Sequence, residues 1–420
     1  MVDSGHRERT IYLHLASLDH CAVCWKTGSN TQELRICEAC GEKIYCSQKC
    51  QKSDWENHKR GCGSTDRIDL KSFYPLLCYL VHLNHLNGPK HPALEHKILG
   101  SPNPNTDDDY HDLLSFPDGK SFKLIALGDE IPSSSEGTYE WWPTAMSTQV
   151  RERLRNRIIA EGHLLAVLLA VCLSLASEMY TTTAVPEDEK PLLQYSERRR
   201  VRLAYQRTPI ADFGIAKGRL EHIVVQDKLA YFHSEKEHFM EGQDPEDHYW
   251  IYFTTARGEE LFLECGMGTF NMGIRVDTDA YANPRFYMLT LGKVYGFFHD
   301  REFRRNAPIF SERRTTLARF SMLRDPGVCQ AIRYHDPGLQ WPGKAGMLSL
   351  MDRIAGRTCS QEEKELFLKF CTTNSFILRQ NIHYRAYRGF PSSPVVDWET
   401  DPDEKTCEEK RKKQPNGRTI

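Results

Sequence analysis

Residues 21–62 read CAVCWKTGSNTQELRICEACGEKIYCSQKCQKSDWENHKRGC, and this stretch decides how the N-terminal part of the chain folds. Seven of the chain's 14 cysteines lie in it, while Cys78, Cys172, Cys265, Cys329, Cys359, Cys371 and Cys407 are scattered singly. Cys21 and Cys24 form a CxxC, as do Cys37 and Cys40; Cys46 and Cys50 stand four apart, as do His58 and Cys62. A CxxC turn lets both sulfurs point at one ion from about 2.3 Å, and an i, i+4 pair on a helix puts two side chains on one face. Four such pairs supply eight donors, enough for two tetrahedral Zn²⁺ ions with no position left for water. Full coordination of that kind marks structural rather than catalytic zinc. Soft thiolates argue against Mg²⁺ or Ca²⁺, and the histidine with evenly doubled pairs argues against an iron–sulfur cluster. Close cysteine pairs concentrated in one segment of a long chain read as metal ligands of an intracellular protein, not as a secreted disulfide scaffold.

Spacing alone leaves two pairings open. In the sequential one, 21/24 joins 37/40 and 46/50 joins 58/62; in the interleaved one, 21/24 joins 46/50 and 37/40 joins 58/62. If residues 47–59 form one straight helix, Cys50 and His58 lie about 12 Å apart along its axis and cannot share an ion. Ser53-Asp54-Trp55-Glu56, however, has the form of a capping box and predicts a fresh helix start at Ser53, where the chain would bend. The geometry leans towards interleaving and decides nothing more.

Taken together, Cys21-x2-Cys24, Cys37-x2-Cys40, Tyr45-Cys46-x3-Cys50-Gln51, Asp54-Trp55 and His58-x3-Cys62 resemble a MYND-type zinc finger. The resemblance is confined to residues 21–62. It implies the interleaved cross-brace, with Cys21, Cys24, Cys46 and Cys50 on one zinc and Cys37, Cys40, His58 and Cys62 on the other. It also implies a role, because MYND fingers are protein-interaction modules that receive short proline-containing peptides rather than DNA. In that family a Gln and a Trp beside the second site hold the peptide, and the matching positions here are Gln51 and Trp55. A Trp face is a flat apolar platform for a proline ring, and a preformed extended ligand loses little entropy on docking. Glu38 stands where some members carry a small Ser, which predicts a preference for ligands bearing Lys or Arg. Lys43, Lys49, Lys52, Lys59 and Arg60 read as a solvated face.

The rest of the 420 residues predicts a soluble α+β region. With 55 Lys and Arg against 57 Asp and Glu, the net charge of −2 argues against a nucleic-acid partner gripped along the chain. Met1–Thr10 is polar, with no apolar stretch behind a basic start, so no secretory signal is expected. The longest apolar run, Leu164–Ala176, is shorter than the roughly 20 residues a bilayer span needs and reads as a buried helix. No membrane is therefore expected as a partner, and the chain is placed in the nucleus or cytoplasm.

Apolar spacing predicts a helix within Ile68–Leu86, a strand at Ser121–Leu127, and a loop at Ile131–Gly137. A helix or helix pair is predicted from Ser147 to Ala176, and a loop at 180–190. Tyr249–Thr255 and Glu260–Glu264 predict a hairpin about Ala256-Arg257-Gly258. Phe286–Phe298 predicts a strand pair or a strand and turn, and helices are expected at Arg313–Leu323 and Gln361–Thr372. The expected organisation is an N-terminal extension over 1–20, the finger over 21–62, an α+β region of one or two subdomains over 63–395, and a disordered charged tail over 396–420. The Lys410–Lys413 run in that tail reads as solvated.

Catalytic signals are weak. Leu261-Phe-Leu-Glu-Cys-Gly-Met-Gly268 loosely resembles the Glu-x-Gly-x-Gly turn of methyltransferases that bind S-adenosylmethionine, but Phe270 stands at the third Gly position and no helix is expected to follow. Fusion of a MYND finger to a SET methyltransferase is disfavoured by the short stretch before Cys21 and by the lack of an Asn-His-Ser-Cys-like motif. Asn84-His85 sits in a helical pattern. His82 with His85, and His233 with His238, would line up on helices without forming a usable site. No P-loop, Gly-x-Ser-x-Gly or His-Glu-x-x-His motif occurs, and no catalytic or cofactor-binding residue is assigned. The expected function is a zinc-dependent adaptor whose finger recruits a proline-containing partner, with transcriptional regulation as its setting. The alternative is an S-adenosylmethionine-dependent methyltransferase with catalysis in the C-terminal region.

Overall fold

The computed structural model describes residues 10–13, 20–28, 34–59, 62, 66–99, 114–115, 121–145, 147–184, 201–221, 228–283, 288–306, 313–333 and 344–399. Arg60 and the Lys410–Lys413 run lie outside them. The architecture is α+β, with the small zinc-binding unit at the N-terminal end of a larger helix-and-sheet body.

Three helices make the centre of the body. Helix α2 (Leu70–Leu86) buries 12 of its 17 residues, and α4 (Leu164–Met179) is built almost wholly from apolar residues, every one of its positions being buried. A helix apolar all round belongs inside a core, and α4 lies between α8 (Gln361–His383), α2 and a seven-stranded sheet, with the shorter α5 (Arg301–Asn306), α6 (Pro326–Arg333) and α7 (Lys344–Ala355) preceding α8 in the chain. That sheet runs β17 (Phe297–His299), β14 (Glu260–Glu264), β13 (His248–Thr255), β10 (Thr208–Glu221), β9 (Arg202–Tyr205) and β4 (Arg67–Asp69), with β18 (Arg313–Ser321) also paired to β10. Asp69 caps α2 and Ser360 opens α8 with a reciprocal capping box to Glu363.

A second, smaller core gathers around Trp141 and Trp142, both fully buried. It joins α3 (Thr148–Ile159) to a sheet ordered β12 (His238–Glu241), β11 (Leu229–His233), β7 (Ser121–Glu130) and β5 (His96–Ile98), with β6 (Leu114–Ser115) also on β7. Two short sheets complete the body: β1 (Thr10–Leu13) with β8 (Thr181–Ala184), and β16 (Lys293–Tyr295) with β15 (Ile274–Asp277) and β19 (Val396–Trp398).

Several expectations change. Arg313–Leu323 is not a helix: its β-branched Thr315-Thr316 pair suits a strand, and antiparallel pairing of residues 313–321 to β10 fixes it. The Phe286–Phe298 region does yield two strands, β16 and β17, but they belong to different sheets. The 180–190 stretch opens with β8 rather than a loop. Residues 396–398, assigned to the tail, are a strand held by Arg275, which donates to both Asp397 and Glu399. His233 and His238 face each other across the β11–β12 hairpin instead of sharing a helix. Helices α3 and α4 meet at 71°, and no single described helix is long and apolar enough to cross a membrane.

Candidate metal centre

Within the finger, β2 (Arg35–Ile36) and β3 (Ile44–Tyr45) form a short hairpin, followed by α1 (Gln48–His58). Between the strands the chain turns tightly. Gly41 adopts a left-handed φ of 68° and its N–H donates to the Cys37 carbonyl at 2.7 Å. The Glu42 N–H points back at Cys40 Sγ, 3.3 Å away. The first CxxC is tied to the hairpin by Ala22 N–H, which donates to the Ile44 carbonyl at 2.9 Å.

Helix α1 runs unbroken from its N-cap Ser47, whose hydroxyl accepts from the Cys50 N–H. The start expected at Ser53 is absent: the Ser53 hydroxyl instead donates to the Cys50 carbonyl one turn back, as mid-helix serines do. Continuity has a consequence for the metal sites. Cys46 and Cys50 sit at the start of the helix and His58 at its end, too far apart for one ion.

The donors converge accordingly. Cys21, Cys24, Cys46 and Cys50 form one group and Cys37, Cys40, His58 and Cys62 the other, with ligand atoms in each group within 4.8 Å of one another. Four atoms about 2.3 Å from a tetrahedral ion lie about 3.8 Å apart. In the first group, the sulfur of Cys24 is 3.4 Å from that of Cys46 and 3.9 Å from that of Cys50, with Cys46 and Cys50 3.6 Å apart. In the second, Cys37 and Cys62 sulfurs are 3.8 Å apart and His58 Nε2 lies 3.5 Å from Cys40 Sγ. Thiolate and imidazole at tetrahedral spacing, each set complete at four, fit two structural zinc ions. The crowding also shows in the acidities: a hydrogen bond from Cys40 holds the Cys37 thiol well below the ordinary thiol range, and the same bond pushes Cys40 up.

Tyr45 and Asp54 brace the space between the sites. The Tyr45 hydroxyl donates to Asp54 Oδ2 at 2.8 Å, and burial followed by this carboxylate pushes the phenol up. On the outer side of α1, Trp55 is 46% exposed although it belongs to a unit with little apolar mass to spare. Its ring meets His58 edge-on at 6.1 Å, so the indole is steadied from behind by the second metal site. Gln51, one turn before it, is half-buried. Glu38 is exposed and lies 3.5 Å from Arg257 of the β13–β14 turn.

The finger is docked on the body. Glu42 Oε1 accepts from Arg202 Nε at 2.7 Å, with both side chains almost fully buried, and the Arg202 guanidinium lies over the Tyr180 ring. Arg67 donates to the Ala39 carbonyl, and Gly41 packs against Pro209. Nothing in the local sequence marks this contact, since Glu42 and Arg202 are 160 positions apart.

The glycine turn of the body holds no cofactor cradle. A Cβ on Gly266 would meet Leu164 and His248 at 2.7 and 2.8 Å, and one on Gly268 would overlap the Tyr295 ring. Glu264 is fully buried, bonded to His248 at 3.1 Å and to Arg314 at 2.9 Å. The turn continues into a 3₁₀ segment, Met267–Phe270, and then β15. Close packing explains both glycines.

Comparison with known proteins agrees with the finger. Residues 21–62 match the family described as MYND finger. The chain is 32% identical over 97 residues to the SET domain and MYND-type zinc finger protein 6 of Schizosaccharomyces pombe, a match covering 23% of this chain and 20% of that protein. The chain thus spans about a fifth of the length of that relative. No solved structure matches it. MYND fingers are in general protein-interaction modules.

Proposed function

We propose that the chain is a zinc-dependent adaptor. Cys21, Cys24, Cys46 and Cys50 hold one ion, Cys37, Cys40, His58 and Cys62 hold the other, and α1 presents Gln51 and Trp55 to a proline-containing peptide. The observation that carries this reading is the exposed Trp55 ring, backed by a metal-ligating histidine. A large indole left nearly half open to water on a small rigid unit is a platform awaiting an apolar partner, and a proline ring fits it without losing much entropy. Gln51, one helical turn away, supplies a donor and an acceptor for the peptide backbone. Transcriptional regulation is the setting that the finger's resemblance supports, and a proline-containing segment of another protein is the partner.

Trp55→Ala tests the reading. It should abolish capture of proline-containing peptides, with both zinc ions retained in native mass spectrometry. Unchanged capture by a variant with full metal would contradict the groove.

The second reading, methyl transfer, rests on the S. pombe relative, a SET domain and MYND-type zinc finger protein. Calorimetry of the full chain with S-adenosylmethionine separates the two. The adaptor reading predicts no binding heat, and saturable binding would move the function to the body.

A further inference from the structure

The body contains a half-open pocket of about 380 Å³ where the end of α2, the start of α4 and the end of α3 meet beneath the Pro89–Leu94 turn. Its ionised groups are largely occupied with each other. Glu136 accepts from Lys90 at 2.8 Å and from Arg155 at 2.7 Å, so its charge and theirs are committed at the rim. Glu161, deeper in, accepts from the hydroxyls of Tyr231 at 2.8 Å and Thr269 at 2.9 Å. Burial pushes its carboxyl up to about 7, so this wall favours neutral company.

The neutral hydrogen-bonding groups are in the opposite condition. Asn84 is fully buried in the lining, and neither its Nδ2 nor its Oδ1 has a partner. His85 Nε2 is likewise buried without one. His91 Nδ1 accepts from the Ala93 N–H, which places the ring proton on Nε2, and Glu161 Oε2 lies 3.9 Å from that nitrogen. That gap is too long for a hydrogen bond. A buried amide or imidazole left unpaired carries its full desolvation penalty, so several together at one cavity call for a partner. Leu94, Ile158, Val167 and Phe370 supply apolar wall, and His163 and Glu362 complete the polar part of the lining.

We infer that this pocket binds an uncharged planar molecule with a hydrogen-bonding edge, a heterocyclic amide such as a nucleobase or a carboxamide-bearing ring. The carboxamide of Asn84 would read a donor next to an acceptor, the imidazoles of His85 and His91 would take the flanking atoms, and the aliphatic walls and Phe370 would cover the ring faces. Such pockets pair apolar walls with a few well-placed polar groups. This site is separate from the finger and independent of the adaptor reading.

The test is calorimetry on the full chain with uracil and nicotinamide, using benzoate and butylamine as charged controls. Binding of at least one neutral probe, with the charged probes at least tenfold weaker, is expected. Asn84→Leu removes the unpaired amide without adding bulk, and should keep or raise the melting temperature while weakening the neutral probe at least tenfold. His91→Phe keeps the ring packed on Tyr231 and should weaken it as well. No neutral probe bound at millimolar concentration, preference for a charged probe, or full binding by a folded Asn84→Leu would each overturn the assignment.

Discussion

His58 carries two duties at once: its Nε2 faces Cys40 Sγ in the second cluster and its ring backs the exposed Trp55. His58→Ala should therefore lower the zinc content by one ion and weaken peptide capture, while His58→Cys should restore the metal. Native mass spectrometry and peptide titration read the two effects apart. Arg202 makes a different case. Removing one member of a buried ion pair strands the other, which costs about 3–5 kcal/mol, whereas replacing both by apolar residues is far milder. Arg202→Ala should show that loss in denaturant unfolding, and Arg202→Met with Glu42→Leu should recover most of it. At Glu161 the sign of the pH effect follows from its raised acidity constant. The folded chain prefers the protonated acid, so this contribution is complete below about 4.5 and is lost as pH rises through about 7. The cost of ionising it above that window is about 3 kcal/mol. Glu161→Gln should flatten the stability profile over that range, as thermal melts at stepped pH would record.

Among the elements, β10 carries the sheet and Gly218 permits its pairing with β18. A Cβ there would strike the Thr315 carbonyl oxygen and reach the Trp250 ring. Gly218→Ala should thus peel β18 away, and faster amide exchange over 314–321 with β13 unchanged would show it. The same strand marks where sequence reading runs out. Periodicity was enough for α2, α4, β7, the β13–β14 hairpin and the start of α8, because each has a long run of one spacing. Over Arg313–Ser321 the partner decides, and that partner, β10, lies about a hundred residues earlier in the chain, beyond the reach of local pattern. Ser53 failed for another reason: a capping-box string inside a helix already capped at Ser47 has no free N–H groups to satisfy. The parallel pairing of β7 with β11 was equally invisible. The metal site was legible because its information is local, eight donors at fixed spacings in one short segment. The pocket was not, because Asn84, His91 and Glu161 look ordinary until three elements bring them together.

For the whole molecule, the question is how far the finger and body depend on each other. The finger has little core beyond its ligands and Tyr45, so zinc supplies much of its stability. The body has its own large core of α2, α4, α8 and the seven-stranded sheet. Chelation should melt the finger first and leave the body folded, but with a lower melting temperature, since Arg202 then loses Glu42. Calorimetry with and without chelator would show one transition lost and the other shifted downwards. The claim beneath all of this is the interleaved pair of four-donor sites. Zinc counted per chain by native mass spectrometry, for the wild type, Cys50→Ser and a variant with Cys50→Ser and His58→Ala, tests it most directly. The account predicts two ions, one and none; a wild type with fewer than two, or a double variant that keeps one, would contradict it.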